Sequence, residues 1–139
     1  MKAAIRAFLE EHGIDVQDLG TMNGDSVDYP DYGDQVARAV ARGEAEKGIL
    51  VCGTGIGMSI VANKFPGVRA ALITDEFTAR MSKEHNNANV IVMGGRVLGS
   101  EQACRMVKAW LDAEFAGGRH QRRLDKIALI EQQLRDGLI

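Results

Sequence analysis

The stretch Cys52-Gly53-Thr54-Gly55-Ile56-Gly57-Met58-Ser59 sets a thiol beside three glycines, where an apolar run gives way to a helical pattern. Glycines at that spacing let the backbone approach a ligand closely. Successive N–H groups at a helix N-terminus suit an anion or a developing oxyanion. The same positive end would favour the thiolate of Cys52, the form a proton-abstracting base needs. The residues alone leave a second reading open, in which Cys52 is a small buried hydrophobe and the glycines only make a tight turn. A third reading, a dinucleotide fingerprint assisted by Asp75 on the next strand, fails on spacing. The G-x-G-x-x-G pattern needs glycine where Met58 stands, and Gly57 comes one residue early.

Two polar clusters lie further on. Lys83-Glu84-His85-Asn86-Asn87-Ala88-Asn89 closes a helix ahead of a strand. His85 is suited to move protons near neutral pH, and Asn86 can hold a substrate hydroxyl or an oxyanion. A histidine in a last helical turn followed by asparagine is also ordinary helix-stop chemistry. In Arg119-His120-Gln121-Arg122-Arg123, the arginines at 119 and 123 stand one helical turn apart and can grip a phosphate with bidentate hydrogen bonds. Such a run is usually only a solvated basic face, and His120, between the arginines in sequence, is expected to point outward rather than to act in catalysis.

The elements that must position these groups alternate between helix and strand, which predicts an α/β fold around a mostly parallel sheet. Ile5, Phe8, Leu9 and His12 follow helical spacing up to Gly13, and Ile14-Asp15-Val16 reads as a short alternating strand. Pro30 and the acidic Asp31 and Asp34 suit the start of a helix whose stripe is Tyr32, Val36 and Val40. Residues 48–52 read as a strand covered on both faces. A short helix through Asn63, a strand over 68–74, a helix over 75–85 and a strand over 90–93 follow. Residues 99–115 read as a helix with Cys104, Val107 and Leu111 inward. Gly117-Gly118 breaks the chain. The last helix, over 119–136, carries Leu124, Ile127, Ala128 and Leu134 on one face, which needs a partner surface and could cross to a second subunit.

Composition narrows the function classes. With 139 residues the chain is one domain. Its 17 Lys plus Arg against 19 Asp plus Glu make no electrostatic footprint for nucleic acid or an anionic membrane. No apolar run is long enough for a membrane span and no targeting segment is evident, so a cytoplasmic location is expected. Cys52 and Cys104 have no metal-ligand or disulfide spacing and are expected as thiols.

Four stretches together resemble the ribose-5-phosphate isomerase type B and galactose-6-phosphate isomerase family: Ser26-Val27-Asp28-Tyr29-Pro30-Asp31-Tyr32, residues 48–59, Glu84-His85-Asn86-Asn87-Ala88-Asn89-Val90 and Gly117-Gly118-Arg119-His120-Gln121-Arg122-Arg123. The resemblance spans the chain, residues 1–139. It implies a Rossmann-like three-layer sandwich and a sugar-phosphate substrate isomerised without a cofactor or metal. It also implies a homodimer, or a tetramer built from it, whose sites draw on both subunits through the C-terminal helix. Ribose 5-phosphate is the default substrate, with allose 6-phosphate, galactose 6-phosphate or non-catalytic sugar-phosphate binding as alternatives. Carried over, Cys52 is the base between C2 and C1, and the amides of Gly53, Gly55 and Gly57 stabilise the enediolate. His85 opens the furanose ring with Thr54 as helper. Tyr29 and Asn86 bind substrate oxygens, and Arg119 and Arg123 hold the phosphate. Family members begin with a strand ending in an Asp-His pair, whereas this chain opens on the following helix. An upstream strand belonging to the functional polypeptide is therefore expected.

Overall fold

A computed structural model describes residues 1–20 and 27–139; Ser26, first in the family-like stretches, lies outside them. Three strands, β1 (Gly48–Cys52), β2 (Ala70–Leu72) and β3 (Val90–Gly94), form a parallel sheet in the order β1-β3-β2. The central strand is buried throughout, as its unbroken apolar run requires. It pairs Gly48 with Val90 through Cys52 with Gly94 on one side, and Ala70 with Val90 through Leu72 with Val92 on the other.

Alternation along β3 separates two cores. Ile91 and Met93 face a layer made by α1 (Lys2–Glu11), α4 (Glu76–Glu84) and α5 (Ser100–Asp112), packed around Ile5, Leu9, Met106 and Trp110. Val90 and Val92 face α2 (Tyr29–Ala41) and α3 (Ile56–Ala62), through Ala37, Val40, Met58 and Ala62. The expected three-layer α/β arrangement is present. Trp110 is fully buried, and its indole N–H donates to the Ala88 carbonyl at 3.0 Å, which seats α5 on the start of β3. At the other end of the sheet, Asp75 and Thr78 close a reciprocal cap on α4, with the Thr78 N–H donating to Asp75 Oδ1 at 2.6 Å. These amide and hydroxyl contacts hold the Asp75 carboxyl below its ordinary range.

Several boundaries differ from expectation. Residues 14–16 are not a strand: the Ile14 N–H turns back to the Leu9 carbonyl at 3.0 Å, and alternation without a pairing neighbour does not make a ladder. Residues 14–20 are instead fastened to α1 by Asp18, which meets Lys2 at 3.1 Å and Arg6 at 3.5 Å. The Asp18 carboxyl is held low, first by the Gly20 N–H and also by these cations, against its partial burial. The strand expected over 68–74 is a ladder only over 70–72, although the Ile73 N–H still reaches the Val92 carbonyl at 3.0 Å. The helix expected to reach 115 stops at Asp112, because Ala113 is already extended.

The last helix, α6 (Arg119–Arg135), leaves its apolar face open. Ile127, Leu129, Ile130 and Leu134 are each more than half exposed. Among the described residues no helix is long and apolar enough to cross a membrane.

Among the described residues β1 pairs on one side only. Along its other edge a groove of about 1560 Å³ runs between α1, residues 14–20 and α2, floored by Ile49 and Val51.

Candidate active site

The C-terminal edge of the sheet carries the thiol. β1 delivers Cys52, half-buried, to the mouth of the groove, which Tyr29, Gly53, Thr54, Gly57 and Arg96 also line. Two strand ends are laced together here. The Gly95 N–H donates to the Cys52 carbonyl at 2.7 Å, and the Arg96 N–H donates to that of Gly53 at 2.9 Å. The packing needs Gly94, because a side chain there would meet the Thr54 carbonyl oxygen at 2.7 Å. Gly55 turns the chain with φ +86, a conformation that glycine adopts without strain, and α3 begins at the next residue. The first amides of α3 therefore lack acceptors inside their own helix and are placed at the site.

Tyr29 opens α2, and its ring lies against Gly57 so closely that any Cβ at Gly57 would collide with it. Thr54 is exposed, and its hydroxyl accepts from the Ile56 N–H at 3.2 Å, stiffening the turn into α3. Arg96 was not singled out from sequence. Its side chain passes over Gly53, with the guanidinium stem 3.5 Å from where a Cβ would stand. The available signal was position: Gly94-Gly95-Arg96 follows a buried strand at the same carboxyl edge as the Cys52 loop, and that edge is where open α/β sheets bind ligands.

The N-terminal edge carries the other expected residues. His85 caps the end of α4, and Asn86 beyond it is exposed. Asn87 takes φ +46, which asparagine tolerates, and its carbonyl accepts from Arg69 Nε at 3.0 Å. The start of α6 is drawn onto this end of α4: the Ala116 N–H donates to the Glu84 carbonyl at 2.9 Å, and Gly117 and Gly118 turn with φ +67 and +54.

The expectation that His120 points outward is wrong. It is 8% exposed and stacks on His85, with ring centroids 4.2 Å apart and planes within 10°. Periodicity within α6 places His120 between two arginines but does not reveal that its side of the helix meets α4. Burial, then His85, Arg119 and Arg123, push its imidazole below the ordinary range. Arg119 and Arg123 are exposed on the first two turns of α6, and the first turn holds no acidic residue. Cations at a positive helix end oppose the macrodipole, and an anion bound there would relieve both.

The two groups do not meet within one chain. Cys52 ends β1, whereas His85 precedes β3, whose Val90 pairs with the first residue of β1. Five-residue strands hold these edges on the order of 15 Å apart.

The sequence model described as Ribose/Galactose Isomerase matches residues 1–127. Ribose-5-phosphate isomerase B of Escherichia coli is 50% identical over 133 residues, covering 96% of this chain and 89% of that protein. The chain belongs to the ribose/galactose isomerase family. Among solved structures of the family, ribose-5-phosphate isomerase B of Clostridium thermocellum superposes with a TM-score of 0.93 at 52% identity, over 96% of this chain and 90% of that one. The Mycoplasma genitalium enzyme with bound ribulose 5-phosphate gives 0.92 at 41% identity, over 95% and 88%. The family match takes in the Cys52 loop, His85 and both arginines of α6.

Proposed function

We infer that the protein is an aldose-ketose isomerase that interconverts ribose 5-phosphate and ribulose 5-phosphate. The observation that carries this reading is the Cys52 loop, a thiol beside a glycine turn that opens a helix at the carboxyl edge of the sheet, in a chain of the ribose/galactose isomerase family.

In the forward direction the Cys52 thiolate removes the proton from C2. The electron pair forms the C1–C2 double bond, and the former carbonyl oxygen at C1 becomes an enediolate oxygen held by the amides of Gly53, Gly55 and Gly57. The thiol then returns the proton to C1, and the proton of the C2 hydroxyl passes to the C1 oxygen, leaving a hydroxymethyl group at C1 and the ketone at C2. Before this, the furanose must open. His85 donates to the ring oxygen, and Thr54 assists by relaying a hydroxyl proton. Tyr29 and Asn86 hold sugar oxygens, and Arg119 and Arg123 hold the phosphate. Arg96, over Gly53, adds a positive group beside the enediolate. Binding energy at the phosphate orients C2 against the thiolate.

Because His85 and the arginines lie a sheet's length from Cys52 in one chain, further than a pentose phosphate extends, each working site combines the Cys52 edge of one subunit with the His85 edge of its partner. The apolar face of α6, and Ile56, Ile60 and Phe77 near the Cys52 edge, are exposed surfaces for such a homodimer. A two-fold pairing completes two equal sites. The reading also includes a cytoplasmic setting, in keeping with two free thiols.

A ketose-formation assay tests the activity. Ribose 5-phosphate should be turned over well ahead of allose 6-phosphate and galactose 6-phosphate, with free ribose far behind. Preference for a hexose phosphate would replace the pentose reading, and no turnover of any would leave sugar-phosphate binding alone.

A further inference from the structure

We propose that His120 is a positioning residue for His85: its stacked ring fixes the plane in which the ring-opening acid presents its proton. The proposal rests on the reading of His85 given above. A catalytic histidine is ordinarily held in plane by a carboxylate or carbonyl on its second nitrogen. Among the described residues neither nitrogen of His85 has such a partner, and its ring contact is His120. His120 is also the one buried residue of α6 among those described, so a polar ring occupies the place where an apolar side chain would ordinarily anchor the helix.

The support for that ring is rigid. The paired glycines set the turn, the Ala116 N–H ties it to the last turn of α4, and the His120 N–H returns to the Gly117 carbonyl at 3.0 Å. The charged or titratable groups acting on His120 are His85 from α4 and Arg119 and Arg123 from its own helix. All favour the neutral form of His120, so the stacked ring adds no second charge beside the ring-opening acid. A phosphate on the two arginines offsets part of the charge that bears on His120. One helical turn thus holds the substrate's far end and orients the acid for its near end.

The test uses the full chain with His120→Ala, His120→Leu and His120→Phe, assayed on ribose 5-phosphate beside His85→Ala. Alanine and leucine should each lower kcat about tenfold while KM changes less than about twofold, because orientation is lost and the phosphate grip is not. Phenylalanine, flat but unable to titrate, should restore kcat to within about threefold of the parent. If alanine fails to fold, the leucine and phenylalanine pair decides alone. Equal kcat for those two, an unchanged kcat throughout, or a loss confined to KM would overturn the positioning role. Full kcat in His85→Ala would instead remove the acid assignment on which the proposal rests.

Discussion

In the proposed site the two edges of the sheet hold a sugar phosphate by different means. At the Cys52 edge the work falls to backbone: glycines remove side chains so that amides, the Thr54 carbonyl and the Tyr29 ring can crowd together. At the His85 edge it falls to side chains, with two imidazoles and two guanidiniums projected from helix ends. The first arrangement suits a charge that exists only during reaction, since amides fixed by the fold need no reorganisation. The second suits a permanent charge, the phosphate, which long flexible cations can find and hold. Under the proposed shared-site reading neither edge is complete, and the comparison predicts that damage to each will differ in kind as well as in size.

The largest effect is expected at the backbone edge. Cys52→Ala should lower kcat by about 10²–10⁴-fold while leaving the affinity for a phosphorylated, non-isomerisable sugar acid nearly intact by titration calorimetry. Mixing this variant with His85→Ala sharpens the point. If sites are shared, the mixed dimer carries one doubly damaged and one intact site, and random reassortment should recover about a quarter of parent activity. No recovery, with exchange of subunits verified by mass, would mean that each chain builds its own site.

A smaller loss is expected at the side-chain edge. Arg119→Gln or Arg123→Gln removes charge-assisted bonds of about 1.5–3 kcal/mol, which corresponds to a KM for ribose 5-phosphate raised by about 10- to 100-fold. Turnover of free ribose should hardly change. An equal loss on both substrates would make these arginines structural and place the phosphate elsewhere.

The smallest effect compares the two thiols. Cys104 sits on α5 with its sulfur 3.6 Å from the Ala4 carbonyl, and burial, then the charge of Glu11, push its thiol up. A raised pKa leaves less thiolate at neutral pH, so iodoacetamide should modify Cys52 about tenfold faster, as read by peptide mass. Equal rates would return Cys52 to the role of a packed hydrophobe.

What could be read from sequence was what local pattern controls. The strand over 48–52, its glycine turn and the helix that follows announce themselves through an unbroken apolar run and through glycines at a helix start. Both arginines of α6 were visible as a pair one turn apart. His120 was not, because its burial comes from a contact 35 residues away in sequence, with His85. Arg96 was hidden for a similar reason: it becomes part of the site only when β3 pairs beside β1. The error at residues 14–16 is the reverse case. Alternation there was real, but pairing is a property of two strands, and the edge of β1 that could have received it faces the groove instead.

The strand order also dictates when the protein can assemble. β3, the strand that both others need, comes last of the three along the chain. As the polypeptide is made from its N-terminus, β2 emerges before the strand it pairs with, and its apolar residues wait until Val90–Gly94 arrives. The segment that completes the scaffold is followed by the one bearing α6, so the thiol's surroundings and the turn that carries Arg119 and Arg123 are set late and nearly together. In the life of the nascent chain, the site is among the last things to exist.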